Sequence, residues 1–173
     1  ASEFGEHDEA SLDASTKKLS FFYEGFFGST CEVELDEAPP REIDQGALNA
    51  VLEFAVMAKA KIFDNVIVMR KNIIDGSNVS SFQRTALVAV NGALNVNGKQ
   101  IPLETIILEE DSARPIERKD GQVIYRVDRL GVPLIEIATA PELFSPLEVK
   151  QTALEIGKLL RLAGKTKRGL GTI

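Results

Sequence analysis

The sequence predicts an α+β fold with a mixed or antiparallel sheet and flanking helices. Two segments have the apolar spacing of amphipathic helices, and most of the remaining apolar segments are short and rich in β-branched or aromatic residues. Strands and helices do not alternate strictly and no internal repeat is visible, which disfavours a doubly wound α/β fold. The predicted order along the chain is β-β-α-β-β-β-β-β-α.

The first part of the chain is predicted to contain two strands and a helix. Residues 1–16 are polar and acidic without an apolar period, and we expect an arm or loop there. Residues 19–23 are rich in aromatic side chains and residues 31–35 alternate apolar with acidic ones, so both segments are predicted strands. A helix is expected over residues 44–60, with Asp44 as its N-cap.

The middle of the chain is predicted to be mostly strand. The β-branched residues 66–68 indicate a buried strand, and a polar loop with one glycine is expected over residues 72–84. Asn91-Gly92 and Asn97-Gly98 are strong turn dipeptides. The strands expected in this region are residues 65–70, 85–90, 101–108, 123–127 and 133–138.

The last helix has the clearest boundaries. Ser145 and Glu148 form a capping box around Pro146, which occupies the first helical position. Apolar residues recur at helical spacing as far as Ala163, and Gly164 is well placed to end the helix.

Length and composition are those of one globular domain. The chain has 173 residues, of which 44% are hydrophobic and 27% charged. No apolar run approaches the roughly 18 residues of a membrane span, and no basic and apolar leader opens the chain. We therefore expect a single cytoplasmic domain over residues 1–173, with no membrane partner.

Charge is unevenly distributed along the chain, whose net charge is −6. Residues 1–113 contain 9 basic and 19 acidic residues, whereas residues 114–173 contain 11 and 7. A basic carboxy-terminal third could contact phosphate groups, and a mixed solvated surface explains the same asymmetry. The cationic helix end that continues through Lys165, Lys167 and Arg168 has the same two interpretations, since it also complements the helix dipole.

Several common sites are excluded. Gly164-Lys165-Thr166 resembles the end of a P-loop, but Leu159 stands where that motif needs glycine, and the segment ends a helix instead of preceding one. Cys31 is the only cysteine and His7 the only histidine, so a disulfide framework and an all-cysteine zinc site are excluded. A metal site in this chain must use carboxylates, which select Mg²⁺ or Mn²⁺.

The most informative carboxylates lie in or next to apolar strands. Glu109 and Glu110, followed by Asp111, end an apolar strand, where adjacent side chains point to opposite faces unless a bulge intervenes. Glu136 lies within an apolar strand, and a buried carboxylate needs a cation or a basic partner. A metal or catalytic role, a pair with Arg129 or Arg126, and simple exposure to water all remain open for Glu136.

The segment from residue 70 to residue 84 gathers arginines, a lysine, hydroxyls and amides around one glycine. Such a mixture suits phosphate oxygens and the polar edges of ligands. A well-hydrogen-bonded surface loop is the alternative interpretation.

Five separated motifs stand out along the chain: residues 69–72, residues 75–85 (which contain DGSN and FQRT), residues 108–111, residues 128–138 and residues 167–173. Together they resemble the GatB/GatE family of tRNA-dependent amidotransferase subunits, and they follow the family's order over nearly the whole chain. The DGSN, FQRT and KRGLGTI forms resemble the archaeal GatE branch.

The resemblance implies an activity, its cofactors and its partners. Members of the family use ATP and Mg²⁺ to phosphorylate the γ-carboxylate of glutamate misacylated onto tRNA(Gln), and ammonia then displaces the phosphate. In the archaeal type, an asparaginase-like D subunit supplies the ammonia. The expected fold is a catalytic cradle similar to that of glutamine synthetase.

The resemblance also implies residue roles. Glu136 and the pair Glu109 and Glu110 match positions that hold Mg²⁺ in the family. Strand geometry suggests that one of the two adjacent glutamates binds the metal and the other faces elsewhere. The remaining matches lie where the ATP and glutamyl pocket is expected, with Arg129 as a clamp on a phosphate or carboxylate. The expected roles are catalytic for Lys71 and Arg129 and ligand-binding for Ser77, Asn78, Gln83 and Arg84.

The chain departs from the family at both ends. The family begins with a strand that carries a metal-binding glutamate and histidine, and His7 does not fill that place. It also continues beyond the match of residue 173 into further cradle residues and tRNA-binding domains. We therefore expect an interior piece of a longer polypeptide, and the alternative function is a non-catalytic fragment that docks tRNA or the D subunit.

Overall fold

The α+β prediction is confirmed by a computed structural model, which describes residues 9–28 and 30–166. His7 and the motif at residues 167–173 lie outside the described residues. In the described part of the chain, the elements are α1 (Glu9–Thr16), β1 (Ser20–Glu24), α2 (Gln45–Met57), β2 (Lys61–Ile62), β3 (Val68–Asn72), β4 (Phe82–Val96), β5 (Lys99–Glu110), β6 (Arg114–Lys119), β7 (Gln122–Arg126), β8 (Pro133–Thr139) and α3 (Pro146–Ala163).

The chain divides into two compact units. The first unit is Ala1–Glu42, Val68–Thr85 and Glu109–Pro133, and the second is Ile43–Ile67, Ala86–Leu108 and Leu134–Ile173. Each unit has its own hydrophobic core. The prediction of one catalytic domain over residues 1–173 stays a prediction.

The first unit contains a three-stranded mixed sheet in the order β1-β7-β6, with β1 parallel and β6 antiparallel to β7. The register pairs Phe21 with Val123 and Tyr23 with Tyr125. Because strand side chains alternate, these four residues share the face that forms the small core of the unit. Two of these residues, Tyr23 and Tyr125, donate hydrogen bonds to the loop at residues 75–78.

The second unit holds the larger apolar core. The larger sheet has the order β2-β4-β5-β8, with β3 also paired to β4, and β4 and β5 contribute residues to both units. Helix α2 buries Ala50, Val51, Phe54 and Ala55 in the core of this unit. The helix expected over residues 44–60 is therefore present as α2, although Val56, which follows the same apolar period, is 65% exposed.

Both predicted helix caps are confirmed. The Asp44 side chain accepts a hydrogen bond from the Ala47 amide, and Ser145 accepts one from the Glu148 amide. Gly164 ends α3 in the left-handed conformation, with φ of 71°. Across residues 9–28 and 30–166, each helix is too short or too polar to cross a membrane.

The strand predicted over residues 31–35 is wrong, because this segment forms consecutive turns. The Leu35 amide donates to the Cys31 carbonyl and the Glu37 amide to the Glu32 carbonyl. The Glu34 carboxylate accepts from the Cys31 amide at 2.6 Å. These local hydrogen bonds satisfy the backbone without a neighbouring strand, although the residues alternate as a strand would.

The turn predicted at Asn91-Gly92 is also wrong, because β4 continues through it. Asn91 does adopt a positive φ of 55°, and the Ala93 amide, two residues on, donates to the Ala58 carbonyl at 2.9 Å. The dipeptide therefore produces an irregularity within the strand. The chain reverses at the second dipeptide, where Asn97 and Gly98 have φ of 51° and 85° between β4 and β5.

Other predicted boundaries change. Residues 9–16 form a helix within the expected polar arm, and β4 begins at residue 82, inside the expected loop of residues 72–84. The expected buried strand of residues 65–70 appears as β3, which starts at Val68 and is half exposed. Strand β6 was not predicted, because all six of its residues are exposed and it has no apolar period. The short β2 was not predicted either.

Candidate functional site

Three consecutive acidic residues, Glu109, Glu110 and Asp111, each have a basic partner in the first unit. Their partners are Lys71, Arg84 and Arg129, respectively. All six residues lie in the motifs that resemble the family, and all but Asp111 had an expected site role. In the structure, Lys71 and Arg84 therefore form ion pairs with Glu109 and Glu110, which are the predicted site carboxylates of the first unit.

Glu109 is the most buried of the three acids, with 4% of its surface exposed. Its Oε1 accepts from Lys71 Nζ at 2.8 Å and from Thr85 Oγ1 at 3.2 Å. Gln83 Nε2 lies 3.5 Å from the other carboxylate oxygen. A buried carboxylate is tolerated only when it is paired and hydrogen-bonded, and these contacts meet that requirement.

Glu110 faces a different set of partners. Arg84 Nε donates to Glu110 Oε2 at 3.0 Å, and Arg84 Nη2 donates to Oε1, which gives the two-point geometry of a strong arginine–carboxylate pair. Arg84 Nη1 also donates to the Arg41 carbonyl. Thus Gln83 and Thr85 serve one carboxylate and Arg84 serves the other, as the alternation of strand side chains requires.

Asp111 and Arg129 form the third pair, in the segments that follow β5 and β7. Arg129 Nε donates to Asp111 Oδ2 at 2.8 Å, and the Arg129 Nη2 lies 2.7 Å from the same oxygen. The backbone reinforces the pair, because the Asp111 amide donates to the Val132 carbonyl and the Gly131 amide donates to the Asp111 carbonyl. Arg129 keeps about a third of its side chain exposed, at 32%.

The loop at residues 75–78 is held by two tyrosines. Tyr23 donates its hydroxyl to the Gly76 carbonyl at 2.7 Å, and Tyr125 donates to the Asp75 carbonyl at 2.8 Å. Gly76 has φ of 80°, and a Cβ placed there would lie 2.5 Å from the Phe21 ring. Only glycine therefore fits this position without strain.

Ser77 is held by hydrogen bonds within the loop, and Asn78 by a hydrogen bond to Ser112 outside it. The Ser77 amide and hydroxyl both donate to Asp75 Oδ1, at 3.0 and 2.7 Å. Asn78 is buried, and its Oδ1 accepts from Ser112 Oγ at 3.0 Å. These contacts tie the loop to the segment directly after Asp111.

The sequence analysis missed the two tyrosines and Thr85. The aromatic and β-branched character of their strands was recognised, but nothing in the sequence indicates a hydroxyl bond to a carbonyl about 50 residues away. The spacing of Gln83 and Thr85 offered a weak signal, since residues two apart in a strand share a face.

Eight of the nine predicted site residues lie in the first unit, and Glu136 lies in the second. These eight are Lys71, Ser77, Asn78, Gln83, Arg84, Glu109, Glu110 and Arg129. Glu136 lies in β8 and is half-buried. The catalytic, ligand-binding and metal-binding roles expected for these residues stay predictions.

Within the described residues, no group of three or more histidine, cysteine, aspartate and glutamate side chains is placed to hold a metal ion. Lys71 and Arg84 instead place positive charge at the oxygens of Glu109 and Glu110. A metal ion at either carboxylate would have to share or displace that cation.

Burial raises the pKa of both tyrosines above the usual 10.0. Desolvation is the main cause in each case, and the negative charge of Asp75 adds to it. Both phenols therefore stay protonated and able to donate to the loop over the whole neutral range.

Comparisons with known proteins identify similar chains. A family model described as the GatB/GatE catalytic domain matches residues 15–173. The chain is 50% identical over 172 residues to a protein from Aeropyrum pernix, 51% to one from Pyrococcus abyssi and 46% to one from Archaeoglobus fulgidus. Each of these relatives is named as the E subunit of glutamyl-tRNA(Gln) amidotransferase. The matches cover 99% of this chain but only 27–28% of each relative.

Replacing Gly76 with alanine tests how closely the loop at residues 75–78 packs on the Phe21 ring, a contact that we call the clamp on the loop. Gly76→Ala meets both a positive φ and the Phe21 ring, whereas Gly98→Ala has a similar φ of 85° and nothing within 4 Å. We expect Gly98→Ala to lower the free energy of unfolding by about 1 kcal/mol, and Gly76→Ala by a further ~1–3 kcal/mol. Urea denaturation measures the difference, and equal losses in the two variants would contradict the clamp.

The tyrosines predict a loss of stability at alkaline pH. Because their pKa values are raised in the folded protein, their contribution is complete below pH 10.0 and is lost as the pH rises through the folded-state pKa values. The chain has two tyrosines and no tryptophan, so tyrosinate absorbance reports these two groups alone. We expect both to ionise above pH 10.0 in the folded protein, and Tyr23→Phe or Tyr125→Phe to remove one of the two ionisations. Ionisation at the ordinary tyrosine pKa while the protein remains folded would contradict the buried contacts.

Proposed function

Because this chain belongs to the GatB/GatE catalytic domain family, we propose that it carries the site at which a glutamyl-tRNA(Gln) amidotransferase activates and amidates its glutamyl group. The proposed enzyme is a ligase that couples formation of a carbon–nitrogen bond to ATP hydrolysis. The observation that best supports a site in this chain is the row of three acidic residues, each paired with a basic residue, beside the tyrosine-held loop. Such rigidity is what a catalytic site requires of its supporting residues.

The proposed reaction has two steps. A γ-carboxylate is a poor electrophile, so one of its oxygens first attacks the γ-phosphorus of ATP and ADP leaves. Ammonia then attacks the carbonyl carbon of the acyl phosphate, the bond to the phosphate oxygen breaks, and the nitrogen loses a proton. Inorganic phosphate is released and glutaminyl-tRNA(Gln) remains.

Charge neutralisation is the main task of the protein in the first step. Two anions must approach each other, and fixed cationic side chains reduce their repulsion without reorganising during the reaction. We propose Lys71 and Arg129 for this role, because each is held in place by a carboxylate and Arg129 remains partly exposed. Fixed ammonium and guanidinium groups of this kind suit a developing phosphoryl charge.

The residues proposed to bind ATP or the glutamyl group are Ser77, Asn78, Gln83 and Arg84. Ser77 and Asn78 are presented by the loop that Tyr23 and Tyr125 hold. Mg²⁺ or Mn²⁺, with Glu109, Glu110 and Glu136 as ligands, belongs to the proposal through the family resemblance alone. When bound, such an ion would neutralise phosphate charge, so its removal is expected to stop the first step, whereas the roles proposed for Lys71 and Arg129 belong to the chain itself.

The proposed partners follow from the same family membership. They are glutamyl-tRNA(Gln), ATP and an asparaginase-like D subunit that supplies ammonia, in the cytoplasm. The chain spans just over a quarter of its curated relatives, so these partners are proposed for the longer polypeptide that carries this chain.

The proposed function is tested by ADP release from the natural full-length polypeptide with its D subunit. We expect glutamyl-tRNA(Gln) to stimulate ADP release strongly, and EDTA to abolish the stimulation. If ADP release ignores the aminoacyl group, the activation step lies elsewhere, and the chain acts as a docking surface for tRNA or the D subunit.

Glu136→Gln tests the predicted role of that residue in the same assay. We expect ADP release to fall at least about 100-fold, because the substitution removes a negative charge while keeping the side-chain shape. Glu104→Gln is the matched control, since Glu104 is an exposed glutamate on β5, and it should retain full activity. Circular dichroism checks that both variants fold. Undiminished turnover by Glu136→Gln would contradict the assignment.

A further inference from the structure

The first unit contains a cavity of about 380 Å³ that the sequence analysis did not anticipate. Its lining comes from the turns at residues 31–41, from the start of β4, from Glu110 and from the segment after Arg129. A volume of this size lies in the range of small-molecule sites in proteins. The cavity meets the row of ion pairs at Arg84 and Glu110, which line it together.

Charged groups of both signs line the cavity. The lining contains three carboxylates, on Glu34, Asp36 and Glu110, and two guanidinium groups, on Arg41 and Arg84. Arg84 and Glu110 neutralise each other. Within the described residues, Glu34, Asp36 and the Arg41 guanidinium form no ion pair, so two negative charges and one positive charge remain for a ligand.

The turns at residues 31–36 place the two unpaired acids. The Glu34 carboxylate accepts the Cys31 amide through Oε2 at 2.6 Å, and its Oε1 lies 3.9 Å from where a Cβ on Gly131 would be. Asp36 has a positive φ of 60°, a backbone conformation that aspartate adopts more readily than most residues. Residues 31–35, which were predicted to be a strand and instead form turns with Asp36, thus supply Glu34 to the cavity, and Asp36 follows directly.

We propose that this cavity binds the aminoacyl group of the substrate, with Glu34 and Asp36 recognising its α-ammonium group and Arg41 recognising its side-chain carboxylate. The proposal rests on the function proposed above. A glutamyl group carries one ammonium and one carboxylate, which matches the unpaired charges of both signs. Its methylene groups match the apolar part of the lining, which includes Val33, Phe82 and Leu130.

The same charges disfavour a nucleotide in this cavity. ATP brings about four negative charges, whereas the lining has an excess of one carboxylate over its guanidinium groups. Carboxylates repel a triphosphate and attract an ammonium group. The cavity is therefore better suited to the aminoacyl group than to ATP.

The test measures binding of two probes to the full-length polypeptide by isothermal titration calorimetry. The first probe is adenosine with glutamate attached to its 3′ position through a stable amide, and the second is the same molecule with an acetylated, uncharged α-nitrogen. We expect the free amine to bind at least ~10-fold more tightly than the acetylated probe. In the double variant Glu34→Gln/Asp36→Asn, this advantage should disappear while binding of the acetylated probe is retained.

A matched control uses two acids of the same turns that do not line the cavity. Glu32→Gln/Glu37→Gln changes the net charge by the same amount, and both residues are exposed. We expect it to keep the full preference for the free amine. Equal preference in the two double variants would overturn the proposal.

Two further measurements separate this proposal from the proposed function. Arg41→Met should reduce the preference for a glutamyl over a glutaminyl probe at least ~10-fold, because only the glutamyl side chain carries a negative charge. ATP affinity should be unaffected by Glu34→Gln/Asp36→Asn, and a large change in it with no change in amine preference would make the cavity a nucleotide site. If probe binding behaves as expected while glutamyl-tRNA(Gln) does not stimulate ADP release, the cavity assignment stands and the proposed activation step fails.

Discussion

The pair formed by the partly buried Lys71 and the buried Glu109 is the interaction on which the candidate site depends. Removing a carboxylate from water costs several kcal/mol unless a cation and hydrogen-bond donors replace the water, and Lys71, Thr85 and Gln83 do so here. The pair also fixes the alignment of the two segments that carry the site. A slip of one residue would turn Glu109 away from Lys71 and reverse every neighbouring side chain. Glu110 and Arg84 therefore meet on the opposite face because Glu109 is fixed on this one.

The first unit combines two devices that hold polar groups in fixed positions. Ion pairs fix Lys71, Arg84 and Arg129, and the hydroxyl groups of Tyr23 and Tyr125 hold the loop that carries Ser77. Both devices are built from side chains of this chain alone, and they orient its polar groups within the first unit. Pre-arranged charges are what phosphoryl transfer needs, because their orientation costs nothing during the reaction.

The sequence predicted local features well and long-range contacts poorly. The caps of α2 and α3 were predictable because Asp44, Ser145 and Gly164 act on backbone groups within a few residues. The separation of Glu109 and Glu110 was predictable from strand geometry alone. By contrast, the partnership of Lys71 with Glu109 spans 38 residues and depends on how the strands are placed. Apolar and acidic residues alternate within residues 31–36 as they would in a strand, so the sequence does not indicate the turns that the hydrogen bonds of this segment show.

A double-mutant cycle on Lys71→Met and Glu109→Gln tests the central claim most directly. Lys71→Met leaves the buried Glu109 carboxylate without the Lys71 cation, and Glu109→Gln removes the charge that Lys71 contacts, so each single variant should lower the free energy of unfolding by about 3–5 kcal/mol. The double variant removes both charges, so its loss should be smaller than the sum of the two by at least ~2 kcal/mol. Urea denaturation of the wild type and the three variants provides these values. Strictly additive losses, or single losses near zero, would contradict the claim that this pair holds the site together.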